Sequence, residues 1–320
     1  MDFTRLYYQV LLPVQGLLER ERRHSLLLVA LLALFTGPLL VVGVAALLAG
    51  IFPVGLVVSG LALGTWRVVY PAVQYNYRRH FKQKLIQPIL AEVAPTLVYQ
   101  SLGTLNEIEL WASGLLERTG EVEGSDLVRG RIEGVECKFA YVEAYALRED
   151  RGRNPSLRQR ARLFQGMLFV AEFPKPFLGQ VLVLPDHLEP ALGHLAQYLQ
   201  GLNRSRGELV RLEDPEFEGL FAVYTAPGPD AQVKARYLLS TSFIRRLTRF
   251  RRQLGRPLLA SLNYGKLYLA IPLPANPLDP PLLHSAVDLE RVRTYVEALE
   301  LMLNLVEELR LNVRVWNTTG

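Results

Sequence analysis

One cysteine, Cys137, in 320 residues leaves no partner for an intramolecular disulfide and suits a reducing compartment. Lysine is scarce as well, 6 residues against 30 arginines. That bias reads more simply as genome composition than as function, so arginine clusters weigh less as evidence. The phosphate loop, G-x-G-x-x-G, H-E-x-x-H, C-x-x-C and G-x-S-x-G are all missing, which excludes the common nucleotide-binding, zinc-protease and hydrolase classes. Histidine is limited to 5 residues. His24 and His80 flank an apolar stretch and His284 stands alone in a connector. His187 and His194 lie seven positions apart on an expected helix, about 10.5 Å along its axis, too far to share a metal. Neither a metal nor a cofactor is expected.

The absence that says most is of charge. From Ser25 to Trp66, 42 residues pass without an Asp, Glu, Lys or Arg. A bilayer core takes about 20 apolar residues per helix, so the run is long enough for two spans. Gly50-Ile51-Phe52-Pro53 punctuates its middle. The expectation is a transmembrane helical hairpin over residues 25–73, with Leu26–Ala49 running one way and Val54–Val73 returning. A cleaved signal peptide has an apolar core of about 7–15 residues, far shorter than this one. A buried helix pair of a soluble protein is the weaker alternative. Gly60 and Gly64 have the small-xxx-small spacing that lets helices approach closely, although glycine is also simply common in membrane helices.

The flanks of the run set an expected topology. Residues 1–84 hold 9 Lys and Arg against 3 Asp and Glu, whereas residues 85–320 hold 27 against 28. The connecting turn is uncharged. Lys and Arg gather on the cytoplasmic side of short flanks, so both termini are expected in the cytoplasm, at a bacterial inner membrane. The basic balance therefore belongs to the membrane border, and nucleic acid is not an expected partner. Trp66, Tyr70, Tyr75 and Tyr77 fall where an interfacial aromatic belt would lie. Residues 1–24 read as an amphipathic segment, with Phe3, Tyr7, Val10, Val14 and Leu17 at helical spacing and Leu6, Leu11 and Leu18 widening the face. Pro13 interrupts that ladder. Lying in the headgroup region and packing on the following domain are both open to this segment.

Residues 74–320 are expected to form a cytoplasmic α+β domain with a mainly antiparallel sheet and packed helices. A helix leaves the membrane through Lys84–Val93, and Leu105–Leu116 is a second helical candidate. Strands are expected at Leu127–Ile132, Val135–Leu147, Leu163–Phe173, Gly179–Leu184, Glu208–Leu212, Leu220–Thr225, Pro257–Leu262 and Lys266–Leu273. Glu133-Gly134 and Asn263-Tyr264-Gly265 supply hairpin turns. Arg148–Arg162 reads as a loop and Pro272–Pro281 as a Pro-rich connector. Helices are expected at Asp186–Leu202, Asp230–Leu254 and Asp288–Leu311. In the last, Leu289, Val292, Val296, Leu299, Leu303 and Val306 form a short heptad seam, which favours a core-facing helix over a coiled coil.

Two clusters qualify as candidate sites. On Asp230–Leu254, one face carries Leu239, Phe243, Leu247, Phe250 and Leu254. Another carries Arg245, Arg249, Arg252 and Arg256, which suits contact with anionic lipid headgroups or phosphate. The plainer reading is a solvated face whose cations complement the helix dipole. Glu213-Asp214-Pro215-Glu216-Phe217-Glu218 is the densest run of carboxylates. If it is extended, Glu216 and Glu218 share a face and form a weak candidate for acid/base work or a divalent cation. The plainer reading is a turn between strands. Cys137 lies in an ordinary strand pattern with no neighbouring histidine and reads as inert.

The strings Phe164-Gln165-Gly166-Met167-Leu168-Phe169, Pro176-Phe177-Leu178-Gly179, Leu184-Pro185-Asp186, Asp214-Pro215-Glu216-Phe217-Glu218 and Ala235-Arg236-Tyr237-Leu238-Leu239 follow one another in this order. They come after an apolar hairpin preceded by Leu18-Glu19-Arg20. In that arrangement the chain resembles, from Leu11 onward, a bacterial membrane family known only as a domain of unknown function. The resemblance implies a layout and no reaction, and it carries over no catalytic residue. Members of that family are often encoded near LemA-type membrane proteins, which makes such a protein an implied partner beside the bilayer itself. Three functions follow as expectations: an interaction or scaffold module at the membrane face, an enzyme acting on lipid or phosphorylated substrates there, and a non-catalytic sensor of anionic lipid. Oligomeric state is left open.

Overall fold

The computed structural model describes residues 6–116, 120–149, 158–173, 175, 177, 179–186, 207–228, 230–309 and 311. The chain divides into two compact units, Met1–Val93 with Pro277–Ala298, and Ala94–Asn276 with Leu299–Gly320.

The first unit is built on two long helices. A π-helical turn at Tyr7–Leu11 runs directly into α1, Leu12–Leu48. After Gly50 the chain returns as α2, Phe52–Phe81, which continues through a π-helical turn at Lys82–Ile86 into α3, Gln87–Val93. The reversal is a Schellman ending. Gly50 takes φ 79°, its N–H donates to Leu47 O at 3.1 Å, and Ile51 N–H donates to Ala46 O at 2.9 Å. Leu11, Leu18, Ser25 and Leu32 of the first helix are buried at intervals of seven, followed by Thr36 and Gly43. That spacing is the seam of a left-handed helix pair. Facing it, α2 buries Gly55 and Ala62.

Gly43 and Gly55 mark a close approach of the two helices. A Cβ on Gly43 would stand 2.8 Å from Ser59 N, and one on Gly55 would stand 2.8 Å from Gly43 O. Gly60 and Gly64, the pair picked out by spacing, face open space. Spacing finds small residues but does not say which face of the helix meets its neighbour. The N-terminal segment is corrected in the same way. Leu6, Leu11 and Leu18 are buried, while Leu17 is 44% exposed and Tyr7, Val10 and Val14 are half-buried. Phe3 lies outside the described residues. Pro13 falls where the π-turn hands over to α1 and does not break the helix.

The connector docks on the foot of α2 within this unit. Asp279 pairs with Arg78 at 3.1 Å and with the buried Lys82 at 2.5 Å. Arg22 donates to Leu282 O at 3.3 Å, and Tyr77 OH to Pro281 O at 3.5 Å. The Tyr295 ring meets Phe81 edge-on at 5.5 Å.

The second unit is organised by one nine-stranded antiparallel sheet, as the α+β expectation requires. Its strands are β1 Leu97–Gln100, β2 Glu121–Ile132, β3 Val135–Glu149, β4 Arg158–Glu172, β5 Gln180–Pro185, β6 Glu208–Val210, β7 Phe221–Thr225, β8 Leu259–Asn263 and β9 Lys266–Pro272. They lie in the order β1-β2-β3-β4-β9-β8-β5-β7-β6. Both expected tight turns form. Glu133 and Gly134 take φ 50° and 87°, and Tyr264 and Gly265 take 48° and 71°. Two positive central residues make the turn whose twist matches a right-handed hairpin.

Alternation assigns the faces. Ala140, Val142, Ala144, Leu168, Val170, Leu182, Leu184, Tyr268 and Ala270 form one buried layer under Leu105, Leu110, Leu115 and Leu116. Their neighbours Phe139, Phe169, Val181, Val183, Leu267 and Leu269, on the opposite face by alternation, are also buried.

Several boundaries differ from expectation. Strand extends into the expected Arg148–Arg162 loop from both sides, β3 reaching Glu149 and β4 starting at Arg158, paired as Glu149↔Arg158. These strand ends lack the apolar alternation by which sequence reveals a strand. The four-residue β1 escapes notice for its shortness. The helix expected over Leu105–Leu116 spans only Glu107–Ala112 (α4), opened by a capping box between Asn106 and Glu109 and followed by Gly114 at φ 64°. The helix expected at Asp186–Leu202 lies outside the described residues beyond Asp186. In α8, Leu289–Glu308, the seam from Val292 to Val306 is buried and Leu289 is exposed. The helix faces a core, as its short heptad run favours.

Candidate functional site

The second unit carries an open groove of about 720 Å³ where both candidate clusters meet. One wall is a single helical turn, α5 (Pro215–Glu218). This corrects the extended reading of the carboxylate run. Asp214 accepts a hydrogen bond from Phe217 N at 3.1 Å, and Pro215 occupies the first turn, where a missing N–H is harmless. Asp-Pro is therefore a helix start here, and in a helix residues two apart point to different sides. Glu218 turns away and accepts from Leu212 N at 2.7 Å. Glu216 faces the groove and pairs with Arg252 at 2.5 Å. The two carboxylates do not converge, so the geometry offers no acid/base pair between them.

The other wall is α7, Thr241–Leu254, preceded by α6, Ala231–Leu238. One helix was expected over Asp230–Leu254. It breaks because Leu239 takes φ −87°, ψ 63° and Ser240 takes an extended cap conformation, at a Ser-Thr-Ser run that competes poorly for helix interior positions. The faces survive the break. Leu239, Phe243, Leu247 and Phe250 are buried, and Leu254 is half-buried. Phe243 packs edge-on against Phe173 with centroids 5.6 Å apart.

Arg245, Arg249 and Arg252 line the groove at i, i+4 and i+7. Arg256 lies beyond the left-handed Gly255 cap, outside both helix and groove lining. Arg252 is engaged by Glu216, while Arg245 and Arg249 have no ion pair among the described residues. Arg246 points elsewhere and donates to Leu309 O at 3.4 Å. The Glu216–Arg252 pair is more than half exposed on both sides, a setting where ion pairs contribute about 0–1 kcal/mol. The groove is thus a mixed-charge surface, lined by Glu213, Asp214 and Glu216 as well as by the three arginines, in which Arg245 and Arg249 are the guanidinium groups free to meet a carboxylate or phosphate.

Cys137 is buried, and burial pushes its thiol up to about 11, so it stays protonated at neutral pH. His24, His80 and His284 are exposed, and His187 and His194 lie outside the described residues. Among the described residues no three His, Cys, Asp or Glu side chains are placed to hold a metal.

One polar centre escaped the sequence reading. Asp126 is fully buried at a bulge in β2, with φ 62°. It accepts from Tyr99 OH at 2.5 Å, Ser125 Oγ at 2.9 Å and Asn276 Nδ2 at 2.5 Å. These neutral donors hold the carboxylate and fasten the end of the sheet segment to Asn276. The only trace in sequence is Gly-Ser-Asp within an alternating strand, a weak sign of a bulge.

No curated protein matches the chain. A crystal structure of the mycobacterial trehalose monomycolate transport factor A, TtfA, is similar at 14% identity and a TM-score of 0.36, over 70% of this chain and 97% of that one. A likeness so distant carries no argument here. Residues 162–311, a little under half of the chain, hold all five strings and match the family model described as "Protein of unknown function (DUF3137)", which bears out, over that part, the resemblance to a family without an assigned reaction.

Proposed function

We propose that the chain is a membrane-anchored interaction module, held by the α1–α2 hairpin in a bacterial inner membrane with the sheet unit in the cytoplasm. One observation carries the reading. The most apolar window of each long helix is only 11% buried, and Leu27, Leu31, Leu34, Phe35, Val41, Val42, Leu56, Val57, Leu61 and Leu63 point outward. Exposing so many side chains to water would cost on the order of 20 kcal/mol, whereas lipid removes that cost. A helix pair in a soluble core has the opposite distribution. The flanks support cytoplasmic termini: Arg20, Arg23, Arg67, Arg79 and Lys84 are exposed, and the turn after α1 has no charge.

In this reading the groove between α5 and α7 receives an acidic segment of a partner, with Arg245 and Arg249 as its contacts. The family resemblance makes a LemA-type membrane protein the first partner to try. The test is cysteine accessibility in intact spheroplasts on a Cys137→Ala background. Single cysteines at Ile51 and at Asp230 should react and stay protected, respectively, toward an impermeant maleimide. Labelling of Asp230→Cys from outside, or recovery of the protein in the supernatant without detergent, would overturn the placement. Pull-down from mild detergent with Arg245→Glu/Arg249→Glu should lose the partner that the wild type retains.

A further inference from the structure

We propose that the foot of the helical hairpin binds one phospholipid through a headgroup carrying both a phosphate and a primary ammonium. The inference rests on the membrane reading above.

The first unit contains a groove of about 380 Å³ between α1 and α2. Its lining is graded along both helices. On α1 it runs from Arg20 and Glu21 through His24 to Leu28, and on α2 from His80 through Asn76 to Val73. Eight residues of helix span about 12 Å, the scale of a headgroup and its glycerol backbone. The change from polar to apolar falls at Ser25 and Val73, where the charge-free run begins and the expected return span ends. An acyl chain would leave past Leu28 and Val73 while the headgroup stayed between Arg20 and His80.

Charge selects the headgroup. The groove has one fixed cation, Arg20, and one carboxylate, Glu21. Neither Arg20, His24 nor Asn76 makes an ion pair or side-chain hydrogen bond among the described residues. Glu21 accepts no hydrogen bond there although its side chain is partly exposed, and His80 Nδ1 stands 3.8 Å from its Oε2. A purely anionic headgroup would leave Glu21 opposed to its phosphate. A choline headgroup has no N–H to give. A primary ammonium donates to Glu21 while its phosphate accepts from Arg20 and Asn76.

The test uses the full chain in nanodiscs of phosphatidylcholine doped with phosphatidylethanolamine or phosphatidylglycerol, with co-retained lipid counted by native mass spectrometry after release. Phosphatidylethanolamine should be retained at least several-fold over its bulk fraction. Glu21→Gln should abolish that preference without raising retention of phosphatidylcholine, and Arg20→Ala should lower retention of all phospholipids. Equal retention of ethanolamine and choline lipids, or an unchanged preference in Glu21→Gln, would overturn the proposal. So would displacement of the lipid by soluble phosphoethanolamine at equal concentration, which would make the headgroup alone the ligand. Failure of the chain to enter nanodiscs at all would instead sink the membrane reading.

Discussion

The two units obey opposite rules for apolar side chains. In the sheet unit Phe139, Phe169, Phe221 and Phe243 are buried, and Arg245, Arg249 and Arg252 of α7 are exposed. In the hairpin Phe35, Leu34 and Leu61 lie outside, and beyond Leu32 the buried positions are the small residues Thr36, Gly43, Gly55 and Ala62. Burial of large side chains holds the first together. Close approach of small ones at Gly43 and Gly55 adds to the second, and on the proposed placement in lipid there is little to gain from hiding its outward leucines. Hydrophobicity alone therefore does not tell which residues are structural. The neighbour against which each side chain is placed decides.

The largest expected effect sharpens this contrast. Phe243→Ala should destabilise the full chain in mild detergent by about 3–5 kcal/mol, measured by denaturant unfolding, while Phe35→Ala should cost less than about 0.5 kcal/mol. Equal losses would break the comparison. Next comes the hairpin seam. Gly43→Leu should cost about 1–3 kcal/mol through overpacking, and Gly60→Leu should be near neutral, read from thermal loss of helical ellipticity in micelles. A costly Gly60→Leu would mean that the open face is covered by something else.

The smallest effect concerns pH at the foot of α1. Hydrogen bonds from Arg22 hold the Glu19 carboxyl below its usual range. A lowered carboxyl contributes stability that is fully present above its unfolded value of about 4.3. That contribution is lost as pH falls through the folded value. The stability gap between wild type and Glu19→Gln should be open at pH 7 and should close on acidification. A gap that persists at low pH would place the effect of Glu19 in packing rather than charge.

Much of this arrangement is legible in the chain. The charge-free run, the alternation in Val135–Leu147 and Leu163–Phe173 and the turns at Glu133-Gly134 and Tyr264-Gly265 each state their element locally. What escaped depends on neighbours distant in sequence. Which glycine of α2 is covered depends on Gly43, and the solitary role of Glu216 depends on Arg252. The Asp126 centre depends on Asn276, 150 positions away. The Asp-Pro start of α5 is a different case: its signal is local, and the plainer reading of a turn between strands agrees with the single helical turn between β6 and β7. For the groove, each wall has its own mark in the sequence, but nothing local says that the two meet.

The foot of α2 has a consequence for how the polypeptide is made. Lys82 and Tyr77 reach across 204 positions in the case of Pro281 to find their counterparts. Translation delivers those counterparts only after the whole sheet has been synthesised. During that interval the ammonium of Lys82 has yet to meet Asp279. Nascent chains stalled before Asp279 should therefore be more open to proteases at the base of the hairpin than chains released complete.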